Sequence, residues 1–509
     1  MSEPFLCIHG HFYQPPRENP WTGEIEKQES AAPYHDWNER IYHECYLPNS
    51  EAKILDKKGK LLNTVNNFEK ISFNIGPTLF SWLEAKHPET YKKILSADKL
   101  SQARHKGHGN AMAQVYNHMI MPLANHRDKV TQLKWGIYEF KHRFGRDPEG
   151  VWLPETACND ETLEVLMDEH IKFTILAPHQ AKAVRMIGHD HWRPVSAGSI
   201  NPKVSYRYFR KRDHAKFIDV FFYDGGIAKD VAFGDLAFEA KYFVGRLEAA
   251  KHIHHPQLIH IATDGETFGH HKAFGERALA FLLEVEAPKR GFQITNYGEF
   301  LELHPPQHEV CLEEGEDGEG TSWSCAHGVK RWKDNCGCRT GGPSEWTQRW
   351  RKPLRESLDW LRDELIQVFE SYGSSYFKNV WEARNEYIQL ILDPSEKMRW
   401  HFFERHASKV LSESEVTLSL KLLEMERYAM LMYTSCGWFF SEISGIEAVQ
   451  VLQYAARAIE LASECTQKPL EEKFVARLAK AKSNVPEFKT GKGVYQKLVK
   501  PASLVYRDS

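Results

Sequence analysis

The sequence predicts an α/β barrel followed by an all-α helical domain. Short apolar runs alternate with helix-like stretches from residue 5 to about 300, a rhythm that puts a parallel sheet inside and helices outside. Roughly seven such runs precede residue 305, the scale of one barrel domain. Beyond about residue 345 the chain becomes strongly helical and poor in Gly and Pro. A chain of 509 residues also exceeds one simple core. The expected division is a barrel over 1–305, a Gly- and Cys-rich connecting or lid segment over 306–344, and an α-helical domain over 345–509.

Phe5-Leu6-Cys7-Ile8 reads as a buried strand that opens into a loop from His9 to Trp21, where Gly and Pro bar a helix. His9, His11, Gln14 and Trp21 gathered at one strand end make that loop a candidate ligand site. Residues 22–70 are mixed and helical in tendency. Ile71–Thr78 reads as a second strand with a Gly-Pro turn, and 127–144 as an amphipathic helix. Gly150–Leu153, Phe173–Leu176, Phe217–Asp224, Leu258–Thr263 and Gln293–Tyr297 read as further strands, with helices expected over 160–170, 235–251 and onward to about 286.

Two strands end in an acid. Val151-Trp152-Leu153-Pro154 delivers Glu155, and Leu258–Thr263 delivers Asp264. Side chains converge at the carboxyl ends of barrel strands, and two carboxyl groups are what retaining glycoside hydrolysis requires, one attacking and one passing a proton. A bland alternative is open to Asp264, since Asp is a favoured helix N-cap. Glu266 reads as a carboxylate holding a neighbour in place. Asp224 and Trp152 read as wall residues, with core packing a competing role for Trp152. His260, His270 and His271 bracket Asp264, and His270 or His271 is a candidate for orienting substrate or tuning Asp264. His and Asp at strand ends also suit a metal-dependent hydrolase.

Bulk properties narrow the field. A formal charge of −3 offers no general attraction to nucleic acid or anionic lipid. No apolar run is long enough to span a bilayer, and Met1–Pro4 leads into the first strand without a leader pattern. Nine Cys, an odd number, in such a chain point to a reducing cytoplasm. Neither a Walker-type phosphate loop nor a dinucleotide Gly fingerprint occurs.

Three motifs in this order, His-x-His-x-x-Gln-Pro, Trp-Leu-Pro-Glu and Asp-Gly-Glu-x-Phe-Gly-His, resemble glycoside hydrolase family 57. That family holds α-amylases, 4-α-glucanotransferases, branching enzymes and amylopullulanases. The resemblance implies a distorted TIM-like (β/α)7 barrel, a helical domain that completes the active site, retention of configuration, an α-glucan substrate and no required cofactor. Within it Glu155 matches the nucleophile and Asp264 the general acid/base, while His9, His11 and Gln14 match the first sugar-binding motif. His118 resembles the histidine of the second motif. Ser435-Cys436-Gly437-Trp438-Phe439-Phe440 resembles the fifth, with Trp438 as a stacking aromatic. The chain departs from the family at Gly437, where several members carry Asp, and by the insertion of Phe12-Tyr13 in the first motif. The helical extension resembles a less characterised subgroup. Two other readings stay open: a metal-dependent deacetylase-like hydrolase and a non-catalytic glucan-binding protein.

Cys325, His327, Cys336 and Cys338 lie within fourteen residues and can supply four ligands to a structural zinc. A loop with free or redox-active cysteines competes with that reading, and Trp323, His327, Arg331 and Trp332 could equally form a lid.

Overall fold

A computed structural model describes residues 4–252, 256–466 and 468–507. The chain forms two compact units. The first gathers residues 1–14, 27–114 and 140–314, the second 15–26, 115–139 and 315–509.

The first unit is built on seven parallel strands: β1 Phe5–Phe12, β2 Ser72–Ile75, β3 Ala113–Gln114, β4 Val151–Trp152, β5 Phe173–Leu176, β6 Asp213–Phe222 and β7 Leu258–Asp264. β1 pairs with β7 on one edge and with β2 on the other. The series continues through a Phe73–Ala111 bridge to β3, then β4, a Gly150–Phe173 bridge to β5, and β6. Between β6 and β7 the Asp224 N–H donates to the His260 carbonyl, without a paired ladder. The distortion sits there because β6 gives its edge to the antiparallel strand Ser205–Arg210, which leads on to His308–Leu312 and Ala181–Met186. Along these strands Leu6, Ile8, Phe73, Val151, Ile175, Phe221 and Ile261 are buried, the near-continuous apolar content expected of strands covered on both faces.

Several local expectations change. β1 runs on to Phe12, so His9 and His11 stand in the strand and not in a loop, because Ser72–Ile75 pairs with His9–Phe12. Ala113–Gln114 is an unforeseen barrel strand. Residues 52–65 form a hairpin, Ala52–Leu55 with Leu61–Val65, in place of the helical tendency. Gln293–Ile294 is a strand of two residues that pairs with the start of β1. The 235–251 helix is shortened to Ala240–Glu248.

The second unit is helical. In Arg351–Gly373, Leu354, Leu358, Leu361 and Leu365 repeat at helical spacing on one buried face, which packs against Glu413–Leu431 and Ile446–Thr466. Ser412 and Glu415 close a capping box at the start of Glu413–Leu431. The buried Arg384 donates through Nη1 to Asp128 Oδ1 and Glu426 Oε2, both at 2.8 Å. No helix of the described residues is long and apolar enough to cross a membrane.

Candidate active site

The carboxyl ends of the first five strands met in going from β7 through β1 to β4 carry one layer of side chains. His11 lies in register with Asp264 on one side and with Asn74 on the other. In-register residues of parallel strands point to the same face, so the three side chains share the ring interior. Asn74 Nδ2 donates to Gln114 Oε1 at 2.6 Å, and Gln114 is in register with Trp152. The Trp152 ring stacks on His9 and on His11 at centroid distances of 4.8 and 4.9 Å. Trp152 is fully buried, so it serves as the plate against which both histidines rest.

The hydrogen bonds set the state of these histidines. Asn74 Oδ1 lies 3.1 Å from His9 Nε2, and Asn74 Nδ2 lies 2.9 Å from His11 Nδ1. With the Asn74 amide so oriented, His9 carries its proton on Nε2 and accepts from the Ser72 hydroxyl at Nδ1, 3.0 Å away. His11 accepts at Nδ1 and presents Nε2–H as a donor. Burial first, and mutual repulsion second for His9, lower both pKa values to about 3, so both rings are neutral at working pH. Both nitrogens of His9 are engaged, as are those of His260, which meet the Tyr297 hydroxyl and the Pro202 carbonyl at 3.0 Å.

Glu155 sits on a strained turn. Pro154 opens the turn after β4, and Glu155 and Thr156 take φ of 58° and 49°. Two consecutive non-Gly residues in the left-handed region cost about 1–2 kcal/mol each. Gln180 holds them there: its Oε1 accepts from the Thr156 hydroxyl and the Ala177 N–H, and its Nε2 donates to the Thr156 carbonyl, each at 2.8 Å. The turn leaves the Glu155 carboxyl near enough to Asp264 to act on its titration.

Asp264 ends β7, and its side chain makes no cap hydrogen bond to the turn Gly265–Thr267, so the N-cap alternative does not hold. Gly265 leaves room for Phe12, whose ring lies 2.5 Å from where a Cβ would stand. The protein around the carboxyl removes bulk water and Glu155 adds a second negative charge, in that order, pushing Asp264 up to about 7. The side chain nevertheless keeps an exposed edge, so water screens part of both effects and the upward direction is what counts. Tyr223, just beyond β6, is raised by burial and by Asp264, which puts its hydroxyl in electrostatic reach. Gln14 Nε2 donates to Glu266 Oε1 at 3.1 Å, so these two sequence candidates hold each other. Asp224 accepts from the Ile227 N–H at 3.0 Å and caps the helix Gly225–Phe233. His270 pairs with Glu44 and leans on the edge of Trp37.

The model of glycosyl hydrolase family 57 matches residues 6–313, over half the chain and across every strand just described. The chain belongs to glycosyl hydrolase family 57. Residues 346–508 match a domain of unknown function, DUF3536. Among solved structures, this family 57 chain is similar to an exo-type maltose-forming amylase from Pyrococcus sp. ST04, with a TM-score of 0.70 at 14% identity over 99% of this chain and 94% of that one. It is also similar to a family 57 branching enzyme from Thermococcus kodakaraensis, with a TM-score of 0.53 at 13% identity over 98% and 96% of the two chains. Both likenesses are of fold. A curated relative, alpha-amylase 1 of Dictyoglomus thermophilum, is 24% identical over 106 residues, which span 21% of this chain and 15% of that protein.

The remaining candidates of this family 57 chain lie in the second unit. Trp21 donates from Nε1 to Glu460 at 2.6 Å. His118, at φ 52°, meets the Ser435 hydroxyl at 2.6 Å through Nδ1, which joins the second- and fifth-motif segments. Trp438 is 1% exposed and lies parallel to Tyr433, so its faces are packed rather than open to a sugar ring. At Gly437 an added Cβ would stand 2.6 Å from Val451, which fills the space an Asp would need. Cys325, His327, Cys336 and Cys338 bring four ligand atoms within 4.8 Å of one another, a group able to hold a metal ion.

Asn74, Gln114, Gln180 and Tyr223 were not singled out from the sequence. Asn74 and Gln180 each tie residues far apart in the chain, and an Asn at a strand end among apolar neighbours was the one available signal.

Proposed function

We propose that this chain is a retaining enzyme on α-1,4-linked glucans of the starch, glycogen or maltooligosaccharide type. Glu155 attacks the anomeric carbon as its glycosidic C–O bond breaks, and Asp264 gives its proton to the departing oxygen. Water or a sugar hydroxyl then surrenders a proton to Asp264, attacks the same carbon and frees Glu155. Water as acceptor gives hydrolysis, a sugar hydroxyl gives transfer.

The observation that carries this reading is the Glu155–Asp264 pair, with Asp264 pushed up to about 7 so that it can hold a proton at neutral pH. Family membership and similarity to an amylase and a branching enzyme support the substrate class. Against the deacetylase alternative, both ring nitrogens of His9 and of His260 are already engaged in hydrogen bonds. The nine cysteines, none of them in a disulfide among the described residues, support action in a reducing compartment such as the cytoplasm. Product analysis on amylose, maltooligosaccharides and glycogen with the wild type and Glu155→Gln tests the proposal. Turnover in the wild type and its loss in the variant are expected. Undiminished turnover in Glu155→Gln, or glucan bound without any product, overturns it.

A further inference from the structure

Outside the carboxylate pair, the strongest gathering of reactive side chains is the Cys/His group of the second unit. We infer that Cys325, His327, Cys336 and Cys338 bind one zinc ion as a structural clasp that ties the 323–340 loop to the segment after Trp438.

The geometry is that of a tetrahedral cage. Zn–S bonds of about 2.3 Å at tetrahedral angles set neighbouring sulfurs about 3.8 Å apart, and a nitrogen at about 2.05 Å lies about 3.6 Å from each sulfur. The Cys325 sulfur is 3.9 Å from that of Cys336 and 3.8 Å from that of Cys338, and His327 Nδ1 is 3.5 Å from the Cys338 sulfur. With all four ligand atoms within 4.8 Å of one another, the cage has room for a single ion. Three thiolates and an imidazole fill all four positions and leave none for substrate, which makes the site structural.

The surroundings complete the assignment. Gly337, at φ 80°, turns the backbone so that both thiols of Cys-Gly-Cys reach the same point, and the Cys338 N–H donates to the Cys336 sulfur at 3.4 Å. Zinc with three thiolates carries one net negative charge. The fully buried Arg351 guanidinium, whose Nη1 is 3.8 Å from the Cys336 sulfur, balances it. Nη1 also donates to the Cys338 carbonyl at 2.8 Å, and Nη2 to the carbonyls of Phe439 and Phe440 at 3.3 and 3.4 Å. Thr340 and Ser441 exchange hydrogen bonds at 3.0 Å beside it. Through Arg351 the metal loop therefore fixes the turn that follows Ser435 and Trp438. The clasp does not rest on the glucan reading, and its test needs no activity.

The test is metal analysis of the full chain purified from zinc-replete cells, with Cys338→Ser, His327→Ala and, as a control elsewhere in the unit, Cys465→Ser. About one zinc per chain is expected in the wild type and control, falling below about 0.1 in the two ligand variants. Cobalt exchanged into the wild type should give the strong visible bands of a tetrahedral thiolate site. Amide exchange over 436–441 should quicken when a chelator strips the metal. Zinc below about 0.2 per chain in the wild type without a cobalt spectrum, stoichiometric iron or copper instead, or full zinc retention by Cys338→Ser overturns the inference. Should the variants fail to fold, the wild-type stoichiometry and cobalt spectrum decide alone.

Discussion

Replacing Gln180 by Leu roughly keeps its volume and removes the two hydrogen bonds that tie it to Thr156 in the Glu155 turn and the one it accepts from the Ala177 N–H. Each bond is worth about 1 kcal/mol net, and the stranded Thr156 and Ala177 groups raise the loss to about 3–5 kcal/mol if the turn stays put. Against it stand about 2–4 kcal/mol of strain, released if Glu155 and Thr156 leave the left-handed region. With Gln180 the two terms are near balance; without it the backbone bonds from the Thr156 and Ala157 N–H groups to the Leu153 and Pro154 carbonyls are left to oppose relaxation. The turn should open and carry the Glu155 carboxyl away, and a displacement of about 1 Å costs about 100-fold in rate. Gln180→Leu should therefore lower kcat on a maltooligosaccharide about 100-fold with little change in KM, alongside a lower Tm. Gln180→Glu keeps both acceptor contacts, loses the donation to the Thr156 carbonyl, and should fall between. If Gln180→Leu loses stability but keeps kcat within about twofold of wild type, Gln180 only packs and the strain argument fails.

Further outcomes follow from the charged groups. Because Asp264 must carry a proton to act as the acid, kcat/KM should fall as pH rises through about 7; a wild-type profile flat from about pH 6 to 9 would count against that role. The folded-state pKa of Asp264 lies above its unfolded value, so the stability linked to its neutral form is complete below pH about 4 and is lost as pH passes about 7. Asp264→Asn should then melt higher than wild type at pH 8 and nearly the same at pH 4, and calorimetry showing the reverse order would refute the sign. Arg384→Ala leaves Asp128 and Glu426 facing each other with their shared cation gone, and a loss of about 3–5 kcal/mol in denaturant unfolding is expected. An unchanged midpoint would mean that the pair relaxes into water.

Six of the seven barrel strands were legible because their cores are apolar runs closed by turn residues. β3 was not: Ala113–Gln114 is two residues long, contains nothing β-branched, and is a strand only because Phe73 and Gly150 flank it. The hairpin over 52–65 was obscured by Asp56-Lys57-Lys58-Gly59, whose charges read as a helix surface while Gly59 at φ 80° makes the turn. At the site, Glu155 and Asp264 were legible because each follows an apolar run directly. The groups that set their state were not, since Asn74 and Gln114 act on partners many residues distant. His9 and His11 were visible as a motif, yet their strand register, tautomers and stacking on Trp152 exist only once β1, β2 and β4 are side by side. Trp438 shows the opposite error: a motif position suggests an open aromatic face, while Tyr433 and the burial of the ring close it.

The chain passes between its two units at 14/15, 26/27, 114/115, 139/140 and 314/315. During synthesis, Trp21 and Trp135 leave the ribosome long before Glu460 and the Arg384 and Asn385 carbonyls to which they bond. Those early segments must wait for the last third of the polypeptide, so the nascent protein cannot mature one domain at a time. A gene cut after residue 314 would strip Trp21 of Glu460 and Trp135 of the Arg384 and Asn385 carbonyls. For the same reason the region matching a domain of unknown function is not a cassette that recombination could lift onto another barrel: its seats for residues 15–26 and 115–139 would go with it unfilled.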